Sequence, residues 1–180
     1  VSVIADAYLR GVRGFDAEAA LKAMVRSSNI NKKGSALYNE FGFVPSDVKK
    51  ESVSLTLEYA YDDWCIARMA EELGHEDIAK EYYRRATNYV NVFDGSTSFF
   101  RGRNRDGSRT TPFDIFSTGR DYTEATPWHY RFFAPHDVNG LIQLFGGREQ
   151  FIKALDDLFT LESDELTLDV SDVSGLKGQY

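Results

Sequence analysis

The sequence predicts an all-α fold, a partial α/α toroid of helical hairpins joined by long loops and carrying one small β-hairpin. Apolar residues recur at helical spacing in paired segments, Gly-, Asn- and Pro-containing stretches separate the pairs, and almost no segment alternates as a strand does. The chain has 180 residues, one ordinary domain at roughly 150 residues per domain. Hydrophobic residues make up 42%, enough for a core without disulfides.

The first helix is predicted from Val1, Ile4, Ala5, Tyr8, Leu9 and Val12, ending near Gly14. Asp16 stands where an N-cap belongs, ahead of Leu21, Met24 and Val25. From 27 to 50 the periodicity fails, which predicts a long ordered loop holding Tyr38, Phe41 and Phe43. Residues 53–73 give the strongest helix, closed by Gly74, and 76–92 a second one antiparallel to it. An extended stretch over 98–103 and an Asp106-Gly107 turn predict the β-hairpin. After an irregular run, Thr126-Pro127 starts a helix to about 133, because proline in the first turn loses only an unpaired amide. Asp137 starts the next, Gly146-Gly147 break it, and a last helix carries Phe151, Ile152, Leu155, Leu158 and Phe159. The tail, 161–180, is acidic and short of core residues, and is expected to be loosely held.

Composition removes several functions. Asp plus Glu number 28 against 21 Lys plus Arg, a net charge of -7 with no long basic block, so a nucleic-acid partner is excluded. No run approaches the ~18 apolar residues that a membrane span needs. One cysteine, Cys65, builds neither an intrachain disulfide nor a cysteine zinc site, and on the apolar stripe of its helix it reads as a small hydrophobe. Aromatics reach 14% and suit either core packing or a carbohydrate cleft. The chain begins at Val1 rather than Met, as a piece of something longer would.

Two carboxylates share an apolar stripe. On a helical wheel Leu55, Glu58, Asp62, Cys65, Ile66, Met69 and Leu73 fall within about one third of the circumference. A bare buried carboxylate costs several kcal/mol. Glu58 and Asp62 therefore either pair with Arg101, Arg103 or Arg105 or point into a substrate pocket. Glu124 lies in an irregular segment among Tyr122, Trp128, His129 and Tyr130, where an apolar wall would keep a carboxyl protonated as a general acid requires; the alternative is a charge set against a helix N-terminus. His75, His129 and His136 show no zinc spacing; His75 reads as a surface helix start, and His136-Asp137 as a helix cap or a ligand contact. Trp64 and Trp128 either line a sugar site or simply pack. The helical pair at 53–92 also resembles a tetratricopeptide unit, although no repeat of about 34 residues recurs, so a helical-repeat module binding a peptide is the alternative reading.

Five blocks in order carry a family resemblance: Phe41-Gly42-Phe43-Val44-Pro45; Ser54-Leu55-Thr56-Leu57-Glu58-Tyr59-Ala60-Tyr61-Asp62-Asp63-Trp64; Phe100-Arg101-Gly102-Arg103; Tyr122-Thr123-Glu124-Ala125-Thr126-Pro127-Trp128-His129-Tyr130; and Phe133-Ala134-Pro135-His136-Asp137-Val138-Asn139-Gly140-Leu141-Ile142. As a set they resemble glycoside hydrolase family 92. The resemblance implies an exo-acting, inverting α-mannosidase, most often α-1,2, that needs calcium, acts on mannose-containing glycans outside the cytoplasm of bacteria, and has an (α/α)6 catalytic domain of which residues 1–160 are part. It carries the family's general acid onto Glu124; the candidate substrate contacts read from the residues are Glu58, Asp62, Trp64, Trp128, His129, His136 and Asp137. After the glutamate this chain reads Ala-Thr-Pro-Trp-His-Tyr where the family more often has Gly-Asn-Ala-Trp-Gln-Tyr, which bears on linkage preference. The family's Gly-Asn-Asp-Cys-Gly block with the catalytic base, and its His-Gly-Asn-Glu-Pro block tied to calcium, have no counterpart here. Base and calcium ligands are thus expected beyond Tyr180, the chain alone is expected to be inactive, and apolar surface at Tyr59, Trp64 and Tyr82 is expected to drive self-association.

Overall fold

A computed structural model describes residues 1–160; the expectation of a loose tail over 161–180 lies outside the described residues. The chain is mostly helical with one two-stranded antiparallel sheet, as the sequence predicts. The described residues divide into two compact units, one of 1–44 with 55–91 and one of 45–54 with 92–160.

The first unit is all helix. Helix α1 is Ser2–Leu9 and α2 is Ala17–Asn29, where Asp16 caps as expected, its Oδ1 accepting from the Ala19 amide at 2.9 Å. A third helix, α3 (Ser35–Phe41), occupies ground read from sequence as loop. Gly34 and Gly42, which looked like loop punctuation, flank it in the left-handed region at φ 92° and 72°. Helix α4 (Ser52–Glu72) turns at Gly74 into α5 (Glu76–Ala86), and a 3-10 stretch, Thr87–Val92, finishes what sequence read as one long helix. Ala5, Tyr8, Leu21, Met24, Ile66, Met69, Ala79 and Tyr82 from α1, α2, α4 and α5 share one core. Tyr82 is buried, with its hydroxyl 2.6 Å from Ser28 Oγ and the Arg85 guanidinium over its ring, so it offers no surface for self-association. The exposed apolar residues of this unit are instead Val3, Ile4, Val12 and Phe15 among others.

The second unit is built around aromatic rings. Strand β1 (Phe93–Asp94) pairs with β2 (Phe99–Phe100) in the register Phe93 to Phe100 and Asp94 to Phe99. The hairpin turn therefore falls at 95–98, earlier than predicted. The expected Asp106-Gly107 turn is also present, closing an isolated bridge between Arg103 and Arg109. Helix α6 (Pro127–Tyr130) is a single turn, shorter than predicted; α7 (Val138–Leu144) and α8 (Arg148–Thr160) follow. Phe93 meets Phe100 and Phe145 at ring separations of 5.4 Å, and Phe132 stacks on Phe145 at 5.5 Å. Much of the aromatic surplus is thus core.

Candidate active site

Glu124 stands on a turn held by a buried polar network. Ser52 and Ser54, in the first turn of α4, bind the segment that precedes it: Ser52 Oγ donates to Asp121 Oδ1 at 3.0 Å, the Val53 amide donates to the Asp121 carbonyl at 3.0 Å, and the Thr123 amide donates to Ser54 Oγ at 2.9 Å. Thr110 Oγ1 donates to the other Asp121 oxygen at 3.0 Å, and Ser46 Oγ lies 2.7 Å from Ser52 Oγ. Gly102 is required beneath this cluster, because a Cβ there would lie 2.2 Å from Asp121 Oδ2 and 2.5 Å from Ser46 Oγ. The sequence reading missed Asp121 altogether, although it immediately precedes the Tyr122-Thr123-Glu124 block.

Glu124 itself is exposed and sits at φ 49°, in the left-handed region that costs a non-glycine residue on the order of 1–3 kcal/mol. Of the rings expected to wall it, Tyr130 is half-buried against Tyr122 and Phe133, and two others turn inward. Tyr122 is buried with its hydroxyl donating to the Phe100 carbonyl at 2.5 Å, and Trp128 is buried edge-on to Phe99 at 5.1 Å with Arg131 over its ring. Backbone reversal at Glu124 leaves the carboxyl outside while its neighbours enter the core.

His129 folds back on Thr126, its Nδ1 accepting from the Thr126 amide at 3.1 Å and lying 2.9 Å from Thr126 Oγ1. That contact makes Nδ1 the acceptor, so in the neutral ring the proton is on Nε2. Asp137 caps α7, its Oδ1 accepting from the Gly140 amide at 2.8 Å; His136 is half-buried beside it.

In the first unit the carboxylates are distributed differently from the sequence expectation. Helix α4 is buried nearly all round, through Leu57, Ala60, Asp63, Cys65, Ile66, Ala67, Met69 and Ala70, so a wheel drawn on its largest residues misplaces the polar ones. Glu58 is exposed and Asp62 half-buried. Both carboxyls are raised from the ordinary value, chiefly by burial, and Glu58 also by the charge of Asp62. Of the arginines expected as their partners, Arg101 pairs with Asp94 at 3.0 Å and Arg105 with Asp47 at 2.8 Å. The buried acid is Asp63, whose Oδ2 accepts from Arg85 Nε at 3.0 Å and Tyr38 Oη at 2.9 Å. Burial pushes Asp63 up to about 6, against the pull of Arg85 and Tyr38. A sequence signal existed for this pair, since Asp63 and Arg85 stand eleven residues before and after Gly74 and an antiparallel hairpin sets such positions level.

Trp64 stacks on Tyr61 at 6.1 Å and is half-buried. Cys65 is buried and its thiol is pushed up to about 11 by that burial, an unreactive setting as expected. His75 is half-buried at the start of α5 and bonds Glu18 at 2.9 Å. Among the described residues no three His, Cys, Asp or Glu side chains gather closely enough to hold a metal ion, so these residues do not fit a calcium site.

The family profile "Glycosyl hydrolase family 92 catalytic domain" matches residues 1–180. The α-mannosidase BT3965 of Bacteroides thetaiotaomicron, solved in complex with mannoimidazole, superposes with a TM-score of 0.89 at 40% identity over 99% of this chain and 25% of its own. The inverting mannosidase BT2199 of the same organism gives 0.84 at 38% identity over 87% of this chain and 22% of its own. An uncharacterized secreted glycosidase of Arthroderma benhamiae is 28% identical over 86% of this chain and 25% of its own length. The chain thus spans about a quarter of the length of these relatives, and the tetratricopeptide alternative gains no support from them. It belongs to glycoside hydrolase family 92, as a part of that family's catalytic domain.

Proposed function

We propose that this chain supplies the general acid of an inverting exo-α-mannosidase acting on terminal mannose of glycans, α-1,2 linkages first. The observation that carries this reading is the match of the catalytic-domain profile across residues 1–180, with mannosidases among the superposing structures. In it the Glu124 carboxyl gives its proton to the departing glycosidic oxygen. An inverting enzyme holds its base on the opposite face of the sugar, about 6.5–9.5 Å from the acid, so that water fits between. That base is an aspartate outside this chain. The Asp121 network does the positioning: it fixes the backbone on which Glu124 rides, and a strained φ there holds the carboxyl out of the core, where a substrate reaches it. Calcium dependence belongs to the reading of the intact protein.

The site of action is outside the cytoplasm, in line with the description "secreted" given to the Arthroderma relative; among the described residues no helix is long and apolar enough to cross a membrane. The 180-residue chain by itself turns over little or no mannoside and associates with itself through exposed apolar side chains. Three assays test this. α-1,2-Mannobiose hydrolysed by the intact protein with inversion at C1, followed by NMR, supports the proposal, and a retained configuration refutes it. Turnover by the 180-residue chain at the intact rate places the base inside the chain, against the reading. A monomeric sedimentation profile at high concentration removes the self-association.

A further inference from the structure

Asp121 holds the chain upstream of Glu124, and two residues downstream the backbone is fixed a second time. Helix α6 is a single turn, and the proline at its first position brings no amide to it. Thr126 and His129 close the turn as a capping box, in which the His129 amide donates to the Thr126 carbonyl at 3.2 Å and the Thr126 amide donates back to His129 Nδ1 at 3.1 Å. Thr126 is 2% exposed, so without that ring nitrogen its amide has no water to turn to. A neutral imidazole offers one acceptor nitrogen, and here it is committed to the backbone beside the acid.

What lies between the two holds gives the second one its meaning. Asp121 and Tyr122 are buried before Glu124, and Ala125, Thr126 and Trp128 are buried after it. Within 121–128 only Glu124 is exposed, and it keeps its left-handed φ of 49° because both flanks are pinned. Freeing either flank lets that residue relax and swing its carboxyl. A misplacement of about 1 Å at a reacting group costs up to about 100-fold in rate, so a loosened turn is felt at the proton donor.

We propose that His129 is a positioning residue for Glu124: its Nδ1 clamps the Thr126 backbone and, with Asp121 on the other flank, fixes the turn that aims the acid, in place of a contact with the sugar. That the turn is clamped from both sides rests on the geometry above; that it carries the acid rests on the reading under Proposed function.

The test uses the intact protein and two substrates. His129→Ala is expected to lower kcat on a mannose disaccharide about 10–100-fold with KM little changed, and to slow an activated aryl α-mannoside far less, because that leaving group needs no acid. His129→Gln, which puts a carbonyl acceptor at the position where a capping box ordinarily carries one, is expected to stay within about twofold of the native rate on both. Added to Glu124→Gln, His129→Ala is expected to cost no more than about twofold further, since it acts through the residue already removed. A raised KM at unchanged kcat, equal losses on both substrates, or a fully additive loss in the double variant makes His129 a sugar contact and overturns the proposal. A glutamine variant as impaired as the alanine one overturns it too, and decides the matter if the alanine variant does not fold. Nitrogen NMR of the 180-residue chain at mildly alkaline pH reads the clamp without turnover. It should show Nδ1 unprotonated and Nε2 protonated, with amide shifts at 124–126 in His129→Ala that His129→Gln restores. A ring protonated on Nδ1, or amides at 124–126 unmoved by His129→Ala, removes the clamp and this inference alone. If the ring signature holds while Glu124→Gln slows both substrates equally, the acid reading falls and takes the positioning role with it.

Discussion

Asp63 in the first unit and Glu124 in the second are both carboxylates fixed by their surroundings, and they are fixed by opposite means. Asp63 is buried and held through its side chain by Arg85 and Tyr38. Glu124 is exposed and makes no such bonds; its backbone is held, through Asp121, Ser52 and Ser54. The contrast separates a carboxylate bonded into the fold from one whose side chain the fold leaves exposed, the setting of the proposed proton donor.

The comparison breaks most visibly at Asp63. Asp63→Ala leaves the Arg85 guanidinium buried without its partner and is expected to cost about 3–5 kcal/mol, measured as a fall in the urea midpoint. A loss under 1 kcal/mol would mean that the pair is open to water. The same residue sets a pH trend. Its folded value of about 6 lies above the unfolded 3.8, so the folded chain holds more protons between those values. The contribution of Asp63 to stability is complete below the lower value and is lost as pH rises through the upper one. Asp62, also raised, works in the same direction, while Arg85 and Tyr38 oppose it and Lys32 and Lys33 line a cavity together with both aspartates. Thermal melts across pH 3.5–7 should therefore show Asp63→Asn losing this pH dependence relative to the native chain.

Smaller effects sharpen the picture at Glu124. Gly102→Ala forces a methyl into Asp121 and Ser46 and is expected to cost about 1–3 kcal/mol, with amide shifts spreading through 121–124. Glu124→Gly relieves the positive φ and should stabilise the chain by about 1 kcal/mol while removing the acid. A destabilising result there would show that the carboxyl has a structural partner after all.

Legibility followed the same division. Helices α4 and α5, the Asp16 and Asp137 caps and the Gly74 turn were readable because periodicity and capping chemistry are local. Helix α3 was not, since seven residues between two left-handed glycines offer barely two turns of pattern. The Asp63–Arg85 pair was hidden because α4 is apolar on almost every side, and small residues such as Ala60 and Ala67 carry little weight on a wheel beside Leu55 and Met69. For the second unit, blocks of sequence singled out Glu124 as the candidate acid, whereas its surroundings depended on Asp121, Gly102 and Ser52, three positions scattered along the chain whose meeting no local pattern announces.

The central claim is that Glu124 gives a proton to the leaving group. Its most direct test compares two substrates in the intact protein carrying Glu124→Gln: a mannose disaccharide, whose leaving alcohol needs protonation, and an aryl α-mannoside with an activated phenol, which does not. The account predicts a fall of about 10²–10⁴ in kcat/KM for the disaccharide and a far smaller one for the aryl glycoside. Equal losses on both would contradict it.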